Sequence, residues 1–163
     1  MYADRLLLMT QQTITNRSTR FTYSDLVLSK SFIGPCESFT ATVTVTNSGG
    51  RDGDEVVQAY VKTPHATVPA PRVRLADFAR VHIAKDQSAK VTLTIAPKYH
   101  CVVNNEDRDG FWSPKLQVEQ GEISVHVGGG QPDFVTEAGA VLSATATVTA
   151  AAALNSHYRC SSE

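Results

Sequence analysis

Two groups of carboxylates are the first residues in this sequence that could do chemistry: Asp52, Asp54 and Glu55 after NSGGR, and Glu106, Asp107 and Asp109 within NNEDRDG. A pair of carboxyl groups held roughly 5 to 10 Å apart in a cleft can cleave a glycosidic bond, one as acid and one as base or nucleophile. Glycine and asparagine surround both groups, and those residues favour tight, solvated turns. Both groups therefore read as turn residues. Asn105, Asp107, Asp109 and Gly110 also take the first, third, fifth and sixth places of a calcium loop. The twelfth place falls on Leu116 instead of a bidentate Glu, and no helical pattern flanks it, so a strand-to-strand turn is preferred.

Nucleophilic catalysis has no footing either, because no Ser or Cys sits in a GxSxG elbow. His65, His82, His100 and His126 match no metal spacing and read as exposed or edge histidines. VGGGQPD, residues 127–133, has neither GK[ST] nor a following helix and reads as a strand-ending turn. Trp112 beside Phe111 is the best aromatic platform for a sugar ring, but a single Trp in an all-β chain also packs into a core or a neighbouring domain. Cys36, Cys101 and Cys160 are widely spaced with no CxxC. Cys36 and Cys101 could pair, and plain buried thiols are the preferred reading. Asn16-Arg17-Ser18 is a glycosylation sequon by pattern, with meaning only in a secreted eukaryotic chain. No catalytic residue, metal or cofactor is assigned.

The elements that would position these residues read as strands. Val and Thr far outnumber Leu, and β-branched side chains suit a pleated, half-buried surface. Phe39, Ala41, Val43 and Val45 alternate with Thr40, Thr42, Thr44 and Thr46, which is the period of a strand with one buried face. NSGGRDG then predicts a hairpin into residues 54–63. There Val57, Ala59 and Val61 oppose Val56, Gln58 and Tyr60, and both faces are apolar enough for a central strand. Pro64, Pro69 and Pro71 lack amide donors and impose a surface crossing. RLADFARVHI extends again, KDQS turns the chain, and AKVTLTIA and EISVHV continue the alternation. The run from Ala138 to Leu154 is too polar for a bilayer helix, and Ala144, Ala146 and Val148 alternate with threonines as in a strand. Six to eight strands with turn signals about every ten residues describe a β-sandwich of two antiparallel sheets.

The 163 residues are one domain's worth of chain, with 15 Lys+Arg against 16 Asp+Glu. That balance offers no phosphate-binding surface, so nucleic acid is excluded as a partner. Hydrophobic content of 42% with 19% charged residues argues against disorder. No segment reads as membrane-spanning, and MYADRLLLMTQQ is not a signal peptide, which leaves the compartment open, periplasm and exterior included. Residues 1–20 read as a poorly ordered extension or linker, 21–149 as the sandwich and 150–163 as a tail without a strand template.

The motif order then acquires a family. Asn47 and Gly49 end the Val-rich strand, Gly53, Glu55, Val56, Val57, Gln58 and Tyr60 follow, and Pro71, Leu75 and Phe78 come next; Trp112, Gly121 and Gly128 then frame the last alternating strand. From residue 21 to about 135 this order resembles the fibronectin type III-like C-terminal domain of glycoside hydrolase family 3, the β-glucosidases and β-xylosidases. GGGQPD is more similar to the xylosidase branch. Two departures stand out: Lys85-Asp86-Gln87 replaces the usual Pro-Gly turn, which leaves the turn type open, and residues 1–20 lack the expected Gly-rich approach.

The resemblance implies an immunoglobulin-like sandwich without catalytic residues, because the family's nucleophile and acid/base lie in other domains. It implies an accessory module that stabilises the catalytic domains of a parent glycosidase, periplasmic or secreted. Contacts are expected at the proline-rich crossing, through Pro69, Pro71, Arg72 and Arg74, and around Phe111 and Trp112. Two alternatives stay open: a stand-alone carbohydrate-binding module that takes oligo- or polysaccharide on Trp112, Phe111 and Tyr60, and a structural or adhesive sandwich with a protein partner.

Overall fold

Along Phe39–Asn47 every second side chain is buried and the intervening ones are half-exposed, as a period of two demands of a strand between two neighbours. The computed structural model of the chain describes residues 19–105, 114–135, 139–155 and 157. Its strands are β1 (Phe21–Leu28), β2 (Phe32–Ile33), β3 (Phe39–Asn47), β4 (Gly53–Lys62), β5 (Arg74–Ile83), β6 (Ser88–Ile95), β7 (Cys101–Asn105), β8 (Pro114–Val118), β9 (Gly121–Gly128), β10 (Val141–Val148) and β11 (Ala152–Leu154). A short 3-10 turn at Pro97–Tyr99 precedes β7.

One sheet has the order β1-β3-β6 and a larger one the order β2-β10-β9-β4-β5. Their inner faces close one core, with Ala41, Val43, Val45 and Leu93 on one side and Val57, Ala59, Val125 and Val127 on the other. This is the β-sandwich expected from the alternation. Two features extend it: β2 runs parallel to β10, and a third, small sheet β11-β8-β7 contributes Cys101, Val118 and Leu154 to the same core. Strand β11 lies in the stretch read as a tail without strands.

The hairpin expected at residues 47–53 does not form. Both edges of β3 are occupied by β1 and β6, so β4 has no edge of β3 to join and pairs in the other sheet with β5 and β9. The segment is instead a corner between layers, organised by the fully buried Asn47. Its Nδ2 donates to the carbonyls of Arg51 (2.8 Å) and Ile83 (2.9 Å), and its Oδ1 accepts from the Gly49 amide (3.0 Å). A Cβ at Gly49 would lie 2.5 Å from the Arg20 nitrogen, so only glycine fits beside that chain.

The β5-to-β6 turn is the second crossing between layers and is bonded to the first. Asp86 N donates to Asn47 O (3.1 Å), and Asn47 N donates to Gln87 O (3.0 Å). Gln87 N closes the turn on Ala84 O (3.1 Å), and Asp86 takes φ +58° at the third position. Lys85 does not share the positive φ, so the turn has the dihedral signature that favours Pro-Gly, with Asp86 where glycine is usual. A third link between layers runs from the Tyr23 hydroxyl to Glu55 Oε1 (2.7 Å). Burial and this carboxylate together push the phenol well above its ordinary range.

The cysteine reading is corrected. Cys101 is a buried free thiol, as preferred, but Cys36 is disulfide-bonded. Cys101 being free, the two do not pair.

Candidate interdomain surface

The crossing between β4 and β5 is held at its middle and at its end. Glu119, beyond β8, accepts from the Thr67 amide (3.0 Å) and, with its other oxygen, from the Thr67 hydroxyl. At the end, Arg74 turns inward: its Nη1 donates to Cys101 O (2.6 Å) and Lys98 O (3.3 Å), which ties the start of β5 to the 3-10 turn. Arg74 is therefore a structural clamp. Pro69, Pro71 and Arg72 remain exposed. The Arg72 side chain is 90% exposed and reaches to 4.0 Å from Asp133 Oδ2, while Asp133 Oδ1 accepts from Lys62 Nζ at 2.6 Å. The Lys62 hydrogen bond holds the Asp133 carboxyl below the usual carboxylate range. Phe111 and Trp112 lie outside the described residues.

Beneath the crossing is a cleft of about 290 Å³, counting its open part, lined by Thr63, His65, His100, Val102, Glu119 and Glu122 among others. His100 is only 2% exposed and neither ring nitrogen has a hydrogen-bond partner. The reading of this residue as exposed or at an edge is thus overturned, because the 3-10 turn at Pro97–Tyr99 carries it under the crossing. Burial, with a smaller contribution from the Arg74 charge, lowers its pKa to about 4. The imidazole is accordingly neutral near pH 7.

The carboxylates after NSGGR are all engaged in holding the fold. Asp52 accepts from the Lys85 amide (2.8 Å), and Glu55 accepts from Tyr23. Asp54 Oδ2 accepts from Arg80 Nε (3.0 Å) and Nη2 (2.5 Å), and its Oδ1 lies 2.6 Å from His82 Nδ1. Those bonds, that to His82 foremost, lower the Asp54 pKa. Glu106, Asp107 and Asp109, with the calcium-loop reading they carry, fall outside the described residues, as does the sequon at Asn16. Among the described residues no three His, Cys, Asp or Glu side chains converge as a metal site. Tyr60 is 9% exposed, with its hydroxyl on Gln58 Oε1 at 2.5 Å, so its ring offers little face to a sugar.

The outward faces of the two main sheets differ in what they show to solvent. On β1-β3-β6, the cross-strand pairs are Thr40–Thr94, Thr42–Thr92, Thr44–Lys90 and Thr46–Ser88. Two of these are hydrogen-bonded through their hydroxyls, Thr42–Thr92 at 3.0 Å and Thr46–Ser88 at 2.7 Å. On β4-β5 the pairs are Asp54–His82, Val56–Arg80, Gln58–Phe78 and Tyr60–Leu75. Phe78 is 63% exposed, Leu75 44% and Val56 41%.

Residues 55–131 match the family described as the fibronectin type III-like domain. A β-glucosidase of Rhizobium radiobacter is 41% identical over 80 residues, which is 49% of this chain and 10% of that protein. Thermostable β-glucosidase B of Acetivibrio thermocellus is 30% identical over 117 residues, 72% of this chain and 15% of that protein. The solved structure of β-glucosidase 3B from Thermotoga neapolitana superposes with a TM-score of 0.65 at 27% identity, over 84% of this chain and 17% of that one. The chain thus spans a small fraction of the length of the proteins it matches. The family's motif residues hold structural places here: Asn47 and Gly49 make the corner, Glu55 receives Tyr23, and a Cβ on Gly128 would overlap Ala140 O. With motif order, fold and relatives in agreement, the chain belongs to the fibronectin type III-like domains of glycoside hydrolase family 3.

Proposed function

We propose that this domain is a non-catalytic accessory β-sandwich of a parent family 3 glycosidase, of β-glucosidase or β-xylosidase type, and that it stabilises the catalytic domains by packing against them. The supporting observation is the share of each relative that it matches: the region similar in sequence makes up 15% of one β-glucosidase, and the superposed region 17% of another. The chemistry of the chain agrees with this role, since Asp52, Asp54 and Glu55 serve the fold. The sugar acted on is a property of the parent's catalytic domains, so neither glucose nor xylose is assigned from this chain.

The test compares the full-length enzyme with a version lacking this domain. The expected result is a lower melting temperature together with reduced turnover of a nitrophenyl β-glycoside. Full retention of both would overturn the accessory role. The isolated chain is expected to show no turnover of nitrophenyl β-glucoside or β-xyloside, and measurable hydrolysis would refute its non-catalytic assignment.

A further inference from the structure

We infer that the outward face of β4 and β5, centred on Val56, Leu75 and Phe78, is the surface by which the domain docks onto the catalytic portion of its own polypeptide; this rests on the accessory role proposed above. An antiparallel sheet with one solvated face normally turns polar residues outward. Here Phe78 sits opposite Gln58 and one step diagonally from Val56, while Leu75 follows opposite Tyr60. The three are 63%, 41% and 44% exposed in that order, so the described residues of the sandwich leave them uncovered.

Charged groups border this apolar centre. At one end Asp54 gathers Arg80 and His82. At the other, Lys62 ends the outward row of β4 and bonds Asp133, which Arg72 approaches from the proline-rich crossing. Phe134, next to Asp133, is 77% exposed. An apolar centre within a polar rim is the anatomy of a protein interface. The outward face of β1-β3-β6 is more polar: its threonine and serine hydroxyls bond one another and suit water, and Val27, opposite Thr42 on the edge strand β1 and 61% exposed, is a single apolar residue without an apolar cluster around it.

The occupant follows from the relatives, in which some five-sixths of the polypeptide lies outside the matched region. A covalently tethered neighbour acts at an effective concentration in the millimolar range, which favours it over any diffusing partner.

Single cysteines at Phe78→Cys and Thr92→Cys, with Val56→Cys as a second probe of the same face, test the assignment by maleimide labelling mapped by peptide mass. In the isolated chain all three positions should label readily. In the full-length enzyme, positions 78 and 56 should slow by about tenfold or more, as burial at an interface requires, while position 92 keeps its rate. Free labelling at 78 and 56, or protection at 92 instead, overturns the proposal. If those positions label freely in an enzyme that is nonetheless destabilised by removal of the domain, the face is wrong and the accessory role stands. If removal is silent as well, both fail.

Discussion

The outward faces of the two sheets are made by the same alternation and yet end in different chemistry. Behind the threonines of β3 and β6 lie Val43, Val45 and Leu93, and behind Val56 and Phe78 lie Val57 and Ala59. Both sheets therefore contribute equally orthodox inner faces to the core. The difference is confined to residues that the core does not need, which places its explanation outside the sandwich. Threonine combines β propensity with a hydroxyl that water accepts, so the threonine-coated part of that face, which Val27 borders on β1, is complete by itself. A face that shows Phe78 to solvent is not.

The largest effect expected is on the shared inner side, which must be common to both sheets for the comparison to hold. Leu93, 1% exposed, should cost about 2–5 kcal/mol when replaced by alanine, read by chemical denaturation of the isolated chain. A loss well below that range would mean that the layers do not share a packed core.

Next comes acid. His100 has a folded-state pKa near 4 against an ordinary value of 6.5. Because the folded value is the lower one, the neutral ring's contribution is complete above pH 6.5 and is lost as pH falls from 6.5 towards 4. The loss should approach about 3 kcal/mol, at 1.36 kcal/mol per pKa unit. His100→Phe should flatten this part of the stability profile, and an unchanged profile would show that another group is responsible. Since the cleft holding His100 lies under the crossing that borders the β4-β5 side, acid should loosen that region before the threonine face.

The faces themselves are compared by charge. Val56→Asp with Phe78→Asp should lower the stability of the full-length enzyme by roughly 2 kcal/mol, the scale of an interface centre. Thr42→Asp with Thr92→Asp should not. In the isolated chain the Val56 and Phe78 changes fall at exposed positions and should stay near 0.5 kcal/mol each. Equal responses of the two faces in the enzyme would erase the distinction between them. The smallest effect is at the turn joining the sheets, where Asp86→Gly should raise stability by about 0.5 kcal/mol by relieving the left-handed conformation. A destabilised variant would show that the Asp86 side chain contributes more than its backbone costs.

Six of the strands could be read from residue types because they are eight residues or longer and at least one of their faces meets the core: β3, β4, β5, β6, β9 and β10. β1 is also eight residues long, but its register shifts between Ser24 and Val27 and breaks the alternation. By contrast, β2, β7, β8 and β11 have two to five residues, too few for a period of two to emerge. The pairing of strands was less legible than their existence. Asn47 and Gly49 mark a place where the chain turns, but whether it turns within a sheet or between sheets depends on which edges of β3 are free, and β6 lies more than forty residues along. On the surface, Arg72 and Arg74 are alike in sequence and opposite in use, because only Arg74 lies within reach of the carbonyls of Lys98 and Cys101. Phe78 is legible as a motif residue, whereas its exposure depends on whether another layer covers the outward face of β4 and β5, which no local pattern encodes.

The topology also sets a schedule for synthesis. β1, β3 and β6 are all made by Ile95, whereas the larger sheet needs β9 and β10 and so waits for Val148. At a ribosomal rate of roughly 5–20 residues per second, the threonine-coated sheet waits some seconds with only β4 and β5 of the facing sheet available to cover Val43, Val45 and Leu93. A nascent chain arrested just after β6 should therefore be sensitive to a protease pulse, and resistance should appear only once β10 has left the exit tunnel.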